Sequence, residues 1–176
     1  MKTKVVVING SPHGREGGTA RIGEWVQEPL REAGAEVVRF DLKDLDVHHC
    51  NGCGLCMREG HCAIDDDIPR IHATWKSADI ILVESPTHVF GTTSLLKLFI
   101  DRTAGEFHRP ALEGKYAGVI TTSAGMGETA VFRYLSNCFE VLGATVVGSV
   151  WGTYRPPTRL WAPEQVREHA RKLGEE

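Results

Sequence analysis

The feature that most constrains the fold is the first apolar run. Lys4 to Asn9 (KVVVIN) carries four branched apolar side chains without a polar break, and it stops abruptly at Gly10-Ser11-Pro12. A strand that does not alternate polar with apolar is buried on both faces, as in a parallel sheet covered by helices on either side. The next segment is helical: Ile22, Trp25, Val26, Leu30 and Ala33 recur at helical spacing from Thr19 to Ala33, with Gly34 as a C-cap and Pro29 as a bend. The pattern then repeats. Strands are expected over Glu36–Phe40, Asp79–Glu84, Tyr116–Thr122 and Thr145–Val150. Helices are expected over Ile68–Ser77, about 95–102, Thr129–Leu142, and a last amphipathic stretch with Pro163 in its first turn. The least regular stretches are Asp44–Asp67 and Trp151–Pro163.

Five strands alternating with five helices specify an α/β chain. Right-handed crossovers then favour a flavodoxin-like three-layer fold, a five-stranded parallel sheet in order 2-1-3-4-5 with helices on both faces. A chain of 176 residues suits one domain, residues 1–176, with a cysteine-rich insertion at about 44–67. Its 20 Lys and Arg against 23 Asp and Glu leave a net charge of -3, which speaks against nucleic acid and against anionic membrane surfaces. The four apolar residues after Lys4 fall short of the roughly 7 to 15 of a secretory core, and no run approaches the ~18 to 20 of a membrane span. The expected location is the cytoplasm, where thiols stay reduced.

In this topology the ligand lies beyond the carboxyl ends of strands one and three, with the loop after strand four beside it. The first loop, Gly10 to Thr19, opens onto a helix N-terminus, where amides and hydroxyls suit a phosphate monoester. It lacks the Gly-Lys-Ser/Thr of an NTPase loop and the G-x-G-x-x-G of a dinucleotide fold. Dinucleotide binding stays a minor alternative through Asp41, at the end of strand two. A glycine-rich turn with Thr19 as a plain N-cap is the ligand-free alternative. The loops Ser85 to Ser94 and Thr121 to Glu128 are equally rich in Gly, Ser, Thr and Pro. Three such loops at one site describe a mononucleotide with a flat ring, and FMN is the usual one for this topology.

Gly10-Ser11-Pro12 with Gly18-Thr19-Ala20, Cys-x2-Cys-x2-Cys-x5-Cys, Ser85-Pro86-Thr87-His88 with Leu96-Lys97, and Phe99-Ile100-Asp101-Arg102 occur in that order. This arrangement, over about residues 3 to 150, resembles the NAD(P)H-dependent FMN reductase family, in its iron-sulfur flavoprotein branch. The resemblance implies FMN contacts from Ser11, His13, Gly18, Thr19 and Ala20, from Pro86, Thr87, His88, Val89 and Gly91, and from Ser123, Ala124, Gly125 and Gly127. It implies NAD(P)H as substrate and a homodimer or homotetramer. His88 replaces the family's usual Tyr, Phe90 its usual Gly, and Gly18 a common Asn.

Cys50, Cys53, Cys56 and Cys62 fall within thirteen residues and resemble the bacterial ferredoxin run, whose thiolates wrap a [4Fe-4S] cube. Zinc or an empty thiol loop are the alternatives. His48, His49 and His61 are expected to be solvated, Asp65, Asp66 and Asp67 to open the next helix, and Cys138 to sit in the core. Trp151, Tyr154 and Trp161 are expected to cover the flavin, to form a subunit interface, or to pack on the last strand.

The favoured function is an FMN-dependent oxidoreductase passing electrons from NAD(P)H to the cluster or to a quinone, nitro compound or flavin. The protein binds and tunes the flavin, so no catalytic side chain is demanded. The alternatives are a non-enzymatic FMN electron carrier and a zinc-binding interaction module.

Overall fold

The computed structural model of the chain describes residues 2–155 and 159–176. The sheet order is β2-β1-β3-β4-β5-β6, with β1 (Lys4–Asn9), β2 (Glu36–Asp41), β3 (Ile80–Pro86), β4 (Tyr116–Ser123) and β5 (Thr145–Arg155) parallel. This is the expected order 2-1-3-4-5. Two features extend the expectation. β5 runs on past Val150 to Arg155, and a short β6 (Arg159–Leu160) returns antiparallel to it, with Tyr154 opposite Leu160. Trp151 to Arg155 is therefore strand and not irregular chain; residues 156–158 of that stretch lie outside the described residues. The cause is tertiary: Thr121, Thr122 and Ser123 of β4 pair with Trp151, Gly152 and Thr153, and the ladder overrides a weak local pattern.

Side chains alternate between two cores. Val5 and Val7 of β1, with Leu82, Ile120 and Val150, pack under α1 (Gly18–Glu32) and α6 (Pro163–Glu175). Val6 and Ile8, with Ile81, Val83 and Val119, pack under α3 (Ile68–Ser77), α4 (Ser94–Asp101) and α5 (Glu128–Val141), around Trp75, Phe99 and Phe139. Within α1 the chain stays helical through Pro29, and Gly34 at φ +86° lets Ala35 N-H return to Leu30 O (3.0 Å). Cys138, expected in the core, is partly buried against its edge. Among the described residues no helix is long and apolar enough to cross a membrane.

Candidate functional site

The loops leaving β1, β3 and β4 wall a cleft of about 530 Å³, within the ordinary range for a small-molecule site. Nine residues singled out in the sequence line it: Ser11, His13, Gly18, Thr19, Pro86, Thr87, His88, Ser123 and Ala124. Ala20 is buried behind the lining, and Val89, Gly91, Gly125 and Gly127 lie outside it. Glu16, Gly17, Arg21, Thr122 and Tyr154 line it too. Thr122 could have been found, because it ends the fourth apolar run. The place of Tyr154 depends on the extension of β5, which the local pattern does not show.

At one end of the cleft, α1 presents its N-terminus. Gly17 precedes the helix with no side-chain cap, and the first turn holds no acidic residue. The leading amides and the positive end of the helix dipole therefore remain for an anion. Beside them the Thr19 and Thr122 hydroxyls share a hydrogen bond of 2.7 Å across the cleft floor, so Thr19 is not a helix cap. Close approach explains the glycines. A Cβ on Gly17 would lie 2.8 Å from Ser11 Oγ, and one on Gly18 would meet the Tyr154 ring at 2.2–2.5 Å. The Tyr154 ring thus occupies the space a side chain at 18 would need.

The other end is built from the second and third loops. Thr87 N-H donates to Thr122 O (2.6 Å), and Gly125 N-H donates to Ser123 Oγ (3.1 Å). His88 and Gly91 exchange two backbone hydrogen bonds of 2.9 Å around a two-residue tip, Val89 at φ +48° and Phe90 at φ +62°. Left-handed backbone at a β-branched residue is unfavourable, yet Val89 is 97% exposed. The Phe90 ring leans on the third loop, where a Cβ on Gly127 would meet it at 3.3 Å. An anion-binding helix terminus at one end and a loop-walled slot at the other fit a phosphorylated flavin.

Behind the first loop lies a buried charged row. Asn9 is in register with both Asp41 and Glu84. Asn9 Oδ1 accepts from Ser11 N-H (2.9 Å), and Asn9 Nδ2 donates to Asp41 Oδ1 (2.7 Å). Arg39 spans Asp41 (Nε, 3.0 and 3.2 Å) and Glu84 (3.1 and 2.7 Å). Burial pushes the Glu84 carboxyl up to about 7, against the pull of Arg39. Glu84 reaches so close to α1 that a Cβ on Gly23 would lie 1.8 Å from its Oε1. Asp41 is occupied by this row, which removes the basis for a ribose contact there.

The cysteines occupy different surroundings. Cys50 and Cys53 are exposed on irregular chain; Cys56, on the short α2 (Leu55–Glu59), and Cys62 line a second cavity of about 560 Å³ with His72, Lys76, Arg102 and Glu106. All are free thiols, and no three metal-ligating groups converge among the described residues. The donor set suits a thiolate-bound metal group; its present arrangement does not gather one. The ends of the loop are nonetheless fixed. Arg102, its side chain 1% exposed, donates to His48 O (2.9 Å) and to both carboxylate oxygens of Asp66 (2.5 and 3.0 Å). Asp66 also accepts from His48 N-H and Ile68 N-H. The acids expected to open the helix instead precede it, Asp67 at its N-cap and Asp66 clipping the loop. Burial, then the Lys76 and Arg102 charges, lower His72 to about 4. His48 and His61 are exposed, as expected. Of the C-terminal aromatics only Tyr154 reaches the first cleft, while Trp151 and Trp161 flank a separate depression beside α6.

Comparison with known proteins agrees with this geometry. Residues 3–154 match the model of the family described as NADPH-dependent FMN reductase. An iron-sulfur flavoprotein of Archaeoglobus fulgidus is 31% identical over 150 residues, 85% of this chain and 68% of that protein. An NAD(P)H dehydrogenase (quinone) of Caulobacter vibrioides is 32% identical over 154 residues, 85% of this chain and 72% of its own. In fold, the chain matches an NAD(P)H:quinone oxidoreductase from Methanothermobacter marburgensis at a TM-score of 0.79 and 19% identity, over 99% of this chain and 95% of that one. The chain belongs to the NADPH-dependent FMN reductase family.

Proposed function

We propose that this oxidoreductase holds FMN in the cleft between the β1, β3 and β4 loops, takes reducing equivalents from NAD(P)H and delivers them to a small acceptor such as a quinone, nitro compound or flavin. The uncapped N-terminus of α1 beside the Thr19–Thr122 pair is the observation that carries this reading. When bound, FMN supplies acceptance of a hydride and onward release of its electrons. The protein's task is placement. The Gly18 and Thr19 amides and the Thr19 hydroxyl hold the phosphate. Pro86, Thr87 and His88 run along the ribityl chain and ring, and Ser123 and Ala124 border the ring. Ala20 supports the Thr19 turn from behind, and Val89, Gly91, Gly125 and Gly127 shape the two loop tips beside the cleft.

In the same reading Cys50, Cys53, Cys56 and Cys62 are the ligand set of an iron-sulfur cluster that serves as a further acceptor. The spacing, the free thiols and the printed name of the Archaeoglobus relative support it. The chain acts as one domain in the cytoplasm, as a homodimer or homotetramer. Anaerobic mixing of holoprotein with NADH or NADPH tests the enzyme: the flavin absorption bleaches with at least one. Failure of both, with bleaching by a reduced partner protein, identifies an electron carrier instead.

A further inference from the structure

We infer that Asp41 is the positioning residue of the phosphate-binding loop, setting the protein's preference for a phosphorylated flavin from a place outside the cleft. The inference rests on the FMN reading above.

Asp41 joins the two halves of the first loop. One carboxylate oxygen accepts from Asn9 Nδ2, and Asn9 in turn fixes the Ser11 amide where the loop begins. The other oxygen lies 3.3 Å from Nε of Arg15, in the middle of the same loop. Arg39 holds that carboxylate in place from behind and is itself anchored on Glu84. The Asp41 side chain is 8% exposed and that of Arg39 4%, so the assembly is fixed by packing and by charge together. Asp41 does not line the cleft. It acts through Asn9 and Arg15.

The physical reason is preorganisation. The loop from Gly10 to Gly18 holds four glycines among its nine residues, so its backbone is free in the unfolded chain and ordering it on binding would cost affinity. Tying its start and its middle to one buried carboxylate places that cost in the folding of the sheet. Thr93 braces the same loop from the opposite side, donating from Oγ1 to Gly10 O (2.7 Å). A dianionic phosphate beside an acidic row is electrostatically awkward, and Arg39 and Arg15 offset the two carboxylates.

Riboflavin shares the ring and the ribityl chain with FMN but lacks the phosphate. The experiment measures affinities of apoprotein for FMN and for riboflavin by flavin fluorescence quenching, in wild type, Asp41→Asn and Asp41→Glu. Loss of one buried charge-assisted contact predicts that Asp41→Asn binds FMN roughly tenfold more weakly, with riboflavin changed less than about twofold. Asp41→Glu is expected to recover part of the FMN preference. Arg15→Gln alters an exposed side chain and leaves the buried row intact, so it keeps the test valid if Asp41→Asn does not fold; a loss of roughly threefold for FMN alone is expected. Equal weakening of both ligands, or no change in either, would overturn the inference. Wild type that binds FMN no better than riboflavin would instead overturn the placement of the phosphate at Thr19.

Discussion

The cleft between the β1, β3 and β4 loops and the cysteine loop after β2 are built in opposite ways. The cleft is assembled from residues in register on neighbouring strands: Asn9, Asp41 and Glu84 form one row, and two residues further along Pro86 pairs with Thr122. Its walls are tied together by strand pairing, by the Thr87 N-H bond to Thr122 O and by the Thr19–Thr122 hydroxyl pair. The cysteine loop is pinned at its ends by Arg102 and Asp66 and by the Asp46–Asp67 pair, with Cys56 packed against Gly105 between them, and among the described residues its thiols do not gather into a metal-holding group. The sheet presents a formed cleft, whereas the loop leaves its four thiols ungathered.

The largest effect should come from cutting the clip. Asp66→Ala leaves Arg102 buried without its counter-charge and should cost about 3–5 kcal/mol. Chemical denaturation would read that loss, and hydrogen exchange should show loosening confined to 48–68. Spread of the loosening into the β1 loop would mean that the two regions are not separate.

The second contrast is in pH. Burial raises Glu84, so the folded state holds its proton more tightly than the unfolded chain does. Its contribution to stability is complete below about 4.5 and is lost as pH rises through about 7. His72 is lowered from 6.5 to about 4, so its contribution is present above 6.5 and is lost as pH falls through about 4. The cleft side should therefore loosen on alkalinisation and the cysteine side on acidification. Glu84→Gln and His72→Gln should each flatten one arm of the stability profile; flattening of the opposite arm by either would contradict the assignment.

The smallest effect is a gain. Val89→Asn relieves a left-handed β-branched residue at a fully exposed tip and should raise stability by about 1 kcal/mol, seen as a higher Tm. A lower Tm would show that Val89 has a partner its exposure hides.

These contrasts mark what could be read from the chain beforehand. The five parallel strands were legible because each carries a cluster of branched apolar residues, unbroken in β1 and in Ile80–Val83 of β3, between helical segments. The end of β5 was not, because Gly152 and polar Thr153 weaken a run that is held by pairing with β4. The three site loops were legible from their small, hydroxyl-bearing residues beside predicted strand ends. The buried row was not, since Asn9, Arg39, Asp41 and Glu84 are far apart in sequence and meet only once strand register is known. The Val89–Phe90 turn also escaped notice, because both residue types favour strands and carry no turn signal.

Flavin held at the α1 N-terminus should not depend on the cysteines for its retention. Flavin-to-protein ratio, measured side by side in wild type, Thr19→Trp and the variant with Cys50, Cys53, Cys56 and Cys62 all changed to Ser, tests it most directly. Thr19→Trp, which fills the floor of the cleft, should be purified with almost no flavin, while the four-serine variant keeps the wild-type ratio. Wild-type flavin content in Thr19→Trp would contradict it.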